Sequence, residues 1–399
     1  MNDTIIRVAA KGDGITASGR HVPRSAPGDT LLADGTLVPG PNRAEPACGH
    51  FGRCGGCELQ HISDDALATF VRERVAHAAE GQGLQPGRIA PPHLSPPASR
   101  RRANLRAING GGRPLIGFRE AGSHKLVDVR ECAILVPELM AVIEPLRKLF
   151  TGRNGRWSVE VELALTDQGA DANLKGLTLD GLAETEAMLN FAREHGLARL
   201  TLDQGYGPET LWEPEPVTVT LSGAPVPFPS GSFLQATKDG EQALVDAARE
   251  WIGDAATIAD LFSGLGTFAF ALAGPAKVLA AEAAQDAYLA CKAAAARTGK
   301  PVHSLHRDLF RNPLRADELS RFEAVLLDPP RAGARDQVAQ LAASTVRRIV
   351  YISCNPSSWA RDARQLADAG YRLMELRPVG QFRWSTHVEL ASLFVREDA

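Results

Sequence analysis

Cys354 is the residue of this chain whose position most clearly suggests chemistry. It lies in the string Ile352-Ser353-Cys354-Asn355-Pro356, at the end of an apolar run, Arg348 to Ser353, that predicts a buried strand. The carboxyl end of a parallel strand is where an α/β enzyme keeps its reactive groups. A thiol there, just before a proline-led helix, becomes a nucleophile if its surroundings favour the thiolate. Most intracellular cysteines are instead small buried hydrophobic residues, so Cys354 alone does not establish a site.

A glycine loop indicates a nucleotide cofactor. Gly264-Leu265-Gly266 follows a predicted strand and opens a helix, so a ligand can approach the backbone closely. Ala269 occupies the third glycine position of a dinucleotide loop, and no Gly-Lys-Ser/Thr follows, which disfavours both a dinucleotide and a phosphate loop. Glu282 and Asp308 end the next two predicted strands, where they can meet ribose hydroxyls and an adenine edge. Glycines and acids in this order indicate S-adenosylmethionine, whereas the glycines alone would equally suit a structural turn.

Two carboxylates complete the candidate site. Asp328, in Asp328-Pro329-Pro330-Arg331, ends another apolar run, and the prolines stiffen its loop. The simpler alternative is a turn with a solvent-facing Asp. Many methyltransferases carry Asn-Pro-Pro-Tyr here to hold an exocyclic amine, so an Asp points to a different acceptor. Uracil is one, because addition of a thiolate to C6 lets C5 attack a methyl sulfonium. Glu389 could then remove the C5 proton; without Cys354 it would be interpreted as a surface strand residue.

Length and composition bound the possibilities. The chain has 399 residues, too many for one ordinary core, and 44% hydrophobic with 23% charged residues is typical of globular proteins. There is no run of eighteen apolar residues and no secretory signal in the first twenty, so we expect a cytoplasmic protein without membrane contact. The net charge of −3 argues mildly against nonspecific polyanion binding. Residues 98–130, however, carry eight basic and two acidic residues, which suits either phosphate contacts or solvated strand faces.

The elements that must position these groups fall into three blocks. Residues 1–47 predict a small β unit, and residues 48–230 predict a β-rich central domain with one inserted helix near Ala183 to Glu194. Gly81 to Pro97 is rich in Gly and Pro and is predicted to be a loop. Residues 231–399 alternate strands and helices, which predicts a doubly wound, Rossmann-like α/β domain.

Four cysteines upstream form a second candidate site. Cys48, Cys54 and Cys57 lie in one glycine-rich loop of ten residues, and Cys132 follows at a distance. Four thiolates are enough to hold an iron–sulfur cluster, and they suit a structural zinc ion equally well. Four unrelated buried thiols are improbable at this spacing. Spacing does not decide between iron and zinc. Cys291, on a helix face, is interpreted as a core residue.

Five motifs, in this order, resemble the RNA uracil-5-methyltransferase family: Phe233-Leu234-Gln235, Asp260 to Thr267, Asp328 to Arg331, Ser353 to Pro356 with Arg361-Asp362, and His387-Val388-Glu389. The resemblance is strongest over residues 230–399. It implies that Cys354 is the nucleophile and Glu389 the base. It also implies that Gln235 and Asp328 line the pocket of the cofactor and the uracil, and that the cofactor is bound by Phe262, Gly264, Gly266, Thr267, Glu282 and Asp308.

The upstream cysteines are similar to those of the iron–sulfur branch that methylates 23S ribosomal RNA. This resemblance favours a [4Fe–4S] cluster on Cys48, Cys54, Cys57 and Cys132. The N-terminal unit resembles a shortened, truncated TRAM barrel, an RNA-binding module, and could lack strands. Where the family pattern has two asparagines, this chain has Thr237 and Thr267, whose hydroxyls can also form hydrogen bonds.

We therefore expect an S-adenosylmethionine-dependent enzyme that methylates C5 of a uridine in 23S ribosomal RNA, with no obligate protein partner. The base would be flipped out or taken from a loop, because C6 is shielded in a stacked helix. The alternatives are a tRNA T-loop methyltransferase of the same chemistry and a non-catalytic iron–sulfur RNA-binding protein. The cluster cysteines disfavour the first, and the joint presence of Cys354, Asp328 and Glu389 disfavours the second.

Overall fold

The computed structural model describes residues 2–110, 112–153 and 155–396. In this part of the chain the strands form three sheets, of five, seven and nine strands, and one separate hairpin. The helices cover both faces of the nine-stranded sheet and one face of the seven-stranded sheet. The sheets follow one another along the chain, with two exceptions described below.

The N-terminal sheet is built from very short strands. Its order is β3-β2-β1-β4-β5, and its pairs are antiparallel. The buried carboxylate of Asp29 fixes its turns, accepting hydrogen bonds from the backbone N–H groups of Ala26 (2.7 Å) and Gly40 (2.8 Å) and pairing with Arg43. The shortened unit thus contains five strands: β1 Asp3–Val8, β2 Gly14–Thr16, β3 His21–Val22, β4 Thr30–Leu31 and β5 Leu37–Val38.

The seven-stranded central sheet has one apolar and one polar face. Alternation along its strands turns side chains such as Val161 and Leu163 toward two helices, α2 (Pro137–Leu149) and α3 (Gly181–Glu194). The sequence predicted α3 but not α2, whose apolar residues lie in a block interpreted as strands. Along the chain, its strands are β8 Arg102–Asn109, β9 Pro114–Arg119, β10 Leu126–Asp128, β11 Ser158–Thr166, β12 Gly169–Lys175, β13 Arg199–Asp203 and β14 Pro208–Trp212. Their order across the sheet is β10-β9-β8-β11-β12-β13-β14.

The C-terminal sheet confirms the predicted doubly wound α/β domain. Its first five strands, in the order β19-β18-β17-β20-β21, are parallel, and β23 lies antiparallel between β21 and β22. Its strands are β17 Thr257–Leu261, β18 Lys277–Glu282, β19 Val302–His306, β20 Ala324–Leu327, β21 Arg348–Ser353, β22 Arg372–Gly380 and β23 Glu389–Val395. The connecting helices are α4 Lys238–Ile252, α5 Thr267–Leu272, α6 Gln285–Thr298, α7 Ala316–Leu319, α8 Arg335–Ala342 and α9 Pro356–Asp368.

Two segments from earlier in the chain pack on this domain. Helix α1 (Asp64–Glu80) joins α8 and α9 in one apolar core, and two short strands, β6 (Arg88–Ile89) and β7 (His93–Leu94), pair with β22. The stretch predicted to be a loop therefore extends the C-terminal sheet. The hairpin of β15 (Thr218–Leu221) and β16 (Ala224–Pro227) shares a core with α6.

Among the described helices, none is both long enough and apolar enough to cross a bilayer.

Candidate active site

Three neighbouring strands bring the candidate catalytic groups to one edge of the C-terminal sheet. Asp328 follows the last residue of β20, and Cys354 follows the last residue of β21. Strand β23 begins at Glu389, and its register pairs Ser353 with Leu390. Because β21 and β23 are antiparallel, Cys354 and Glu389 are the next facing positions at this edge. The structure therefore brings together the thiol and both carboxylates that the sequence singled out.

Burial shifts the protonation of all three groups. It raises the pKa of Glu389 to about 8, with a further increase from the charge of Asp328. Burial likewise raises the pKa of Asp328 to about 7, against a hydrogen bond from Gln235 that lowers it. The pKa of the Cys354 thiol rises to about 11, through burial first and then through Glu389 and Asp328, while Arg331 opposes the shift. The site thus holds three acidic groups whose ionised forms are all disfavoured.

Backbone anchors hold the loops that carry Cys354 and Asp328. Asn355 is the N-cap of α9: its side-chain oxygen accepts a hydrogen bond from Ser357 N–H at 3.1 Å. Its side-chain nitrogen donates to the carbonyl of Arg331 at 2.9 Å, which ties the two loops together. The buried Asp362 accepts from Ala334 N–H at 2.7 Å, and from Tyr351. The Arg361-Asp362 motif thus anchors these loops instead of contributing a reactive group.

A chain of two amides links the two carboxylates. The side-chain nitrogen of Gln235 donates to Asp328 at 3.1 Å, and its oxygen accepts from Gln381 at 2.8 Å. The same nitrogen of Gln381 donates to Glu389. Gln235, Gln381 and Glu389 are each at most 3% exposed. The network thus joins the residue expected at the cofactor to the candidate base.

Cys354 and Glu389 open into a cavity of about 460 Å³. Its walls carry cations and aromatic rings, and the guanidinium of Arg102 lies over the ring of Phe233, 4.6 Å from its centroid. Phe233 is 59% exposed, so its ring is accessible to a ligand at the cavity wall. The other polar and aromatic lining residues include Arg100, Arg331, Phe382 and His387. Such a cavity suits a planar, polar group that stacks on an aromatic ring.

The four upstream cysteines line the same cavity as Cys354. Burial raises the pKa values of Cys54, Cys57 and Cys132, and the thiols are close enough to raise one another's further: Cys132 affects both Cys54 and Cys57, and Cys48 affects Cys54 and Cys132. In the described residues, no three Cys, His, Asp or Glu side chains form a group that could hold a metal ion. The structure thus gathers the four thiols around one space without arranging them for a single ion.

The cysteine loop is fixed on two sides. Gly55 N–H donates to the carbonyl of Arg119 at 3.0 Å, which joins the loop to the central sheet. Glu58 and Leu59 N–H both donate to the carbonyl of Trp384, at 2.8 and 2.9 Å. Trp384 lies between Gln381 and Glu389. Backbone hydrogen bonds from the cysteine loop therefore hold the segment that leads to the candidate base, Glu389.

The glycine loop has the predicted form. Gly266 has φ +93°, and a Cβ there would lie 2.8 Å from Phe270 and 2.9 Å from Cys291, so only glycine fits without a shift. Gly264 has φ +55° and open space where a Cβ would be, so a ligand can approach its backbone. Gly264 N–H donates to the Glu282 carboxylate at 2.8 Å. Phe262, a non-glycine residue at φ +63°, packs its ring against Phe310 with 5.3 Å between centroids.

Asp308, which was expected at the cofactor, and Thr237, which departs from the family pattern, have other contacts. The Thr237 hydroxyl accepts a hydrogen bond from Gly240 N–H at 3.0 Å as the N-cap of α4, and lies 2.9 Å from the Ser95 hydroxyl. Asp308 accepts from Phe310 and Arg311 N–H at 3.0 and 3.2 Å, which shapes its own loop. Thr267 is the first residue of α5.

The basic stretch of residues 98–130 divides between the interior and the cavities. Arg101 is buried, pairs with Glu241 and donates to the carbonyl of Gln235 at 3.0 Å, so it supports the fold. Arg106 and Arg119 line a groove of about 360 Å³ beside the main cavity, together with Gly55, Gly56 and Phe118. The arginines along the groove are available to phosphates, which is one of the two alternatives for this stretch, whereas the buried Arg101 fits neither of them.

Sequence reasoning missed Gln381, and no spacing or residue type would have revealed it. It lies in the connection between β22 and β23, and its amide partner Gln235 is 146 residues away. The sequence indicated Arg102 only as one of the basic residues of 98–130, and Phe233 only as part of a motif. In the structure the two side chains stack at the cavity wall.

Known proteins resemble this chain along its full length. A family model described as tRNA (Uracil-5-)-methyltransferase matches residues 305–397. An RNA methyltransferase of Zymomonas mobilis, itself uncharacterized, is 50% identical over 98% of this chain and 99% of its own length. The 23S rRNA (uracil(1939)-C(5))-methyltransferase RlmD of Edwardsiella ictaluri is 32% identical over 89% of this chain and 82% of its own length.

A solved structure matches the fold. The tRNA (uracil-54, C5)-methyltransferase of Pyrococcus abyssi, in complex with S-adenosyl-L-homocysteine, superposes with a TM-score of 0.76. The match covers 99% of this chain and 100% of that protein at 24% sequence identity.

Proposed function

Since the chain belongs to the RNA uracil-5-methyltransferase family and is thus an S-adenosylmethionine-dependent enzyme, we propose that it methylates C5 of a uridine in 23S ribosomal RNA. We propose further that the reaction proceeds through a covalent bond between Cys354 and C6 of the uracil. The observation that carries this proposal is the shared position of Cys354 and Glu389, at facing positions of β21 and β23 and in one cavity.

The two side chains perform complementary steps. The Cys354 thiolate adds to C6, which breaks the C5=C6 double bond and makes C5 electron-rich. S-adenosylmethionine, when bound, supplies the methyl group that C5 takes up. Glu389 then accepts the C5 proton, the electrons of the C5–H bond restore the double bond, and the Cys354 thiolate leaves. Asp328 lies beside both groups and is the candidate to orient the uracil ring.

The glycine loop suits the cofactor. The open face of Gly264 allows a close approach, and the Glu282 carboxylate is oriented by three backbone N–H groups, those of Gly264, Ala283 and Ala284. We assign Glu282 to the ribose hydroxyls and Asp308 to the adenine, with Phe262, Gly266 and Thr267 completing the site and Gln235 and Asp328 at its inner end. The hydroxyl of Thr237 is not assigned to the cofactor, because it caps α4.

We assign the four upstream thiols to a [4Fe–4S] cluster. The donor set fits, because such clusters are held by cysteine thiolates and Cys48, Cys54, Cys57 and Cys132 line a common cavity. Zinc is the alternative metal for these four residues, because four thiolates also bind a zinc ion. The cluster would join the cysteine loop to the central sheet beside the segment that carries Trp384.

The choice of 23S ribosomal RNA rests on the cysteine set and on similarity to the Edwardsiella ictaluri enzyme. A tRNA target is the competing possibility. We expect the flipped uridine to enter the cavity past Arg102 and Phe233, with the flanking phosphates along the groove of Arg106 and Arg119.

The test is a map of 5-methyluridine in ribosomal RNA and tRNA from a strain that lacks this protein. The strain is complemented either with the wild type or with Cys354→Ala. Loss of the mark from 23S ribosomal RNA, restored only by the wild type, is the expected result. Loss from tRNA instead would reassign the substrate, and an unchanged map in both RNAs would overturn the proposal.

A further inference from the structure

Gln381 stands between the two carboxylates of the candidate site. It directly follows β22, its side chain is 1% exposed, and its amide nitrogen donates both to Gln235, at 2.8 Å, and to Glu389. Gln235 in turn donates to Asp328 at 3.1 Å. No motif of the chain includes Gln381, and the reaction steps above do not use it.

The orientation of the Gln381 amide follows from its other contact. The backbone N–H of Thr237 donates to the Gln381 side-chain oxygen at 3.4 Å. A backbone N–H cannot accept a hydrogen bond, so the oxygen of Gln381 must face Thr237 and the nitrogen must face Glu389. The same reasoning orients Gln235, whose oxygen accepts from Gln381 and whose nitrogen therefore faces Asp328.

The first turn of α4 keeps Gln381 in this place. A Cβ on Gly240 would lie 2.7 Å from the Cβ of Gln381 and 3.1 Å from its side-chain oxygen. Glycine thus lets the helix pack directly on the Gln381 side chain, and Thr237, the N-cap of that helix, supplies the N–H that orients it.

We propose that Gln381 is a positioning residue for the base. It holds one oxygen of the Glu389 carboxylate, so that the other oxygen is left to take the C5 proton, and through Gln235 it sets this orientation relative to Asp328. This inference rests on the proposed function and deepens it. An N–H donor also stabilises the ionised carboxylate, which is the form that accepts a proton.

Few charged or titratable groups oppose or assist this effect. Among the described residues, those that act on Glu389 are Asp328 after β20, Cys354 after β21 and Arg102 on β8. Asp328 raises the pKa of Glu389, whereas Gln381 and Arg102 lower it. Removal of the Gln381 donor should therefore move the ionisation of Glu389 to higher pH.

The test compares the wild type with Gln381→Met, which has a similar length and no N–H donor. Single-turnover methylation of unmodified 23S ribosomal RNA transcript is followed from pH 6 to pH 10. We expect the single-turnover rate at pH 7 to fall by up to about tenfold, the ratio that a shift of about one pH unit gives, and to recover at high pH. The midpoint should lie about one unit higher, and the enzyme–RNA concentration for half-maximal rate should stay within about twofold. A fall that is equal at every pH, or no fall, would overturn the inference.

A second variant guards against misfolding of the first. Gly240→Ala leaves Gln381 chemically intact but pushes a methyl group against it, and it should shift the pH midpoint in the same direction. Gly274→Ala is the matched control, because a Cβ there meets open space. If Gln381→Met does not fold, an unchanged midpoint in Gly240→Ala would by itself overturn the inference. If the wild type does not methylate the RNA, the proposed function fails, and not this inference alone.

Discussion

The Glu389 carboxylate lies near enough to the Cys354 thiol to oppose its ionisation. After burial, it is the largest cause that raises the pKa of Cys354 to about 11. Glu389 itself, with its pKa raised by burial and by Asp328 to about 8, is a carboxylate only above neutral pH. The nucleophile and the base therefore disfavour each other's charged form, and the resting site holds the thiol protonated.

This antagonism predicts a specific change in thiol reactivity. At pH 9, iodoacetamide should alkylate Cys354 about three- to tenfold faster in the Glu389→Gln variant than in the wild type. Only the thiolate reacts, and the substitution removes a neighbouring negative charge. At pH 6, where Glu389 is protonated, the two rates should agree. Peptide mass spectrometry measures both rates, with buried Cys291 as an internal control. Equal rates at pH 9 would contradict the pairing.

The same carboxylate should reduce stability as the pH rises. The folded pKa of Glu389, about 8, lies above the value of about 4.3 expected in the unfolded chain, so the folded state binds the proton more tightly. Its contribution is fully present below about pH 4 and is lost as the pH rises to 8. Glu389→Gln should therefore unfold several degrees above the wild type at pH 8.5, and near it at pH 5. Glu186→Gln, on an exposed part of α3, should show no such difference, and a constant offset at both pH values would count against the assignment.

The cysteine site predicts iron. Protein purified without oxygen should be brown and carry roughly four irons per chain, as a cubane cluster requires. Cys57→Ser should lose iron and unfold several degrees lower, because the cysteine loop is bonded both to Arg119 of the central sheet and to Trp384. S-adenosylmethionine binding should change little. Cys291→Ala is the control for iron content only, since that thiol of α6 is buried in an apolar core and does not line the cavity of the four cysteines. A colourless protein with one zinc per chain would rule out the cluster.

The groove beside the cavity predicts a salt-dependent contribution to RNA binding. Arg106→Ala should raise KM for the RNA several-fold and lower the slope of log K against log salt by about one, as loss of one phosphate contact does. The value of kcat should remain nearly unchanged. Arg72→Ala, on the exposed face of α1, serves as the control. An unaltered salt slope in Arg106→Ala would remove this groove from the RNA path.

The parts of this structure that sequence could predict depend on local patterns. Strand β21 has the predicted bounds, because a continuous apolar run followed by Asn355-Pro356 marks both its end and the start of α9. The glycine loop likewise lies between a strand and a helix as predicted, and the open space beside Gly264 allows the expected close approach to its backbone. Such features are decided within a few residues of the chain.

The parts that escaped prediction depend on distant partners. The pairing of β6 and β7 with β22 joins segments nearly 300 residues apart, and their Gly- and Pro-rich composition indicated a loop. The contact between Gln381 and Gln235 spans 146 residues, and a lone glutamine carries no signal of its own. Helix α2 was hidden because its apolar residues lie among strands with similar composition.

Trapping the covalent intermediate tests the central claim most directly. Glu389→Gln, incubated with S-adenosylmethionine and 23S ribosomal RNA transcript, is separated on a denaturing gel. Cys354 should attack and C5 should accept the methyl group, but the C5 proton has no acceptor, so elimination stalls. We predict a denaturation-resistant protein–RNA band that carries the methyl label and is absent in Glu389→Gln combined with Cys354→Ala. Full turnover by Cys354→Ala, or release of methylated RNA by Glu389→Gln without any adduct, would contradict the account.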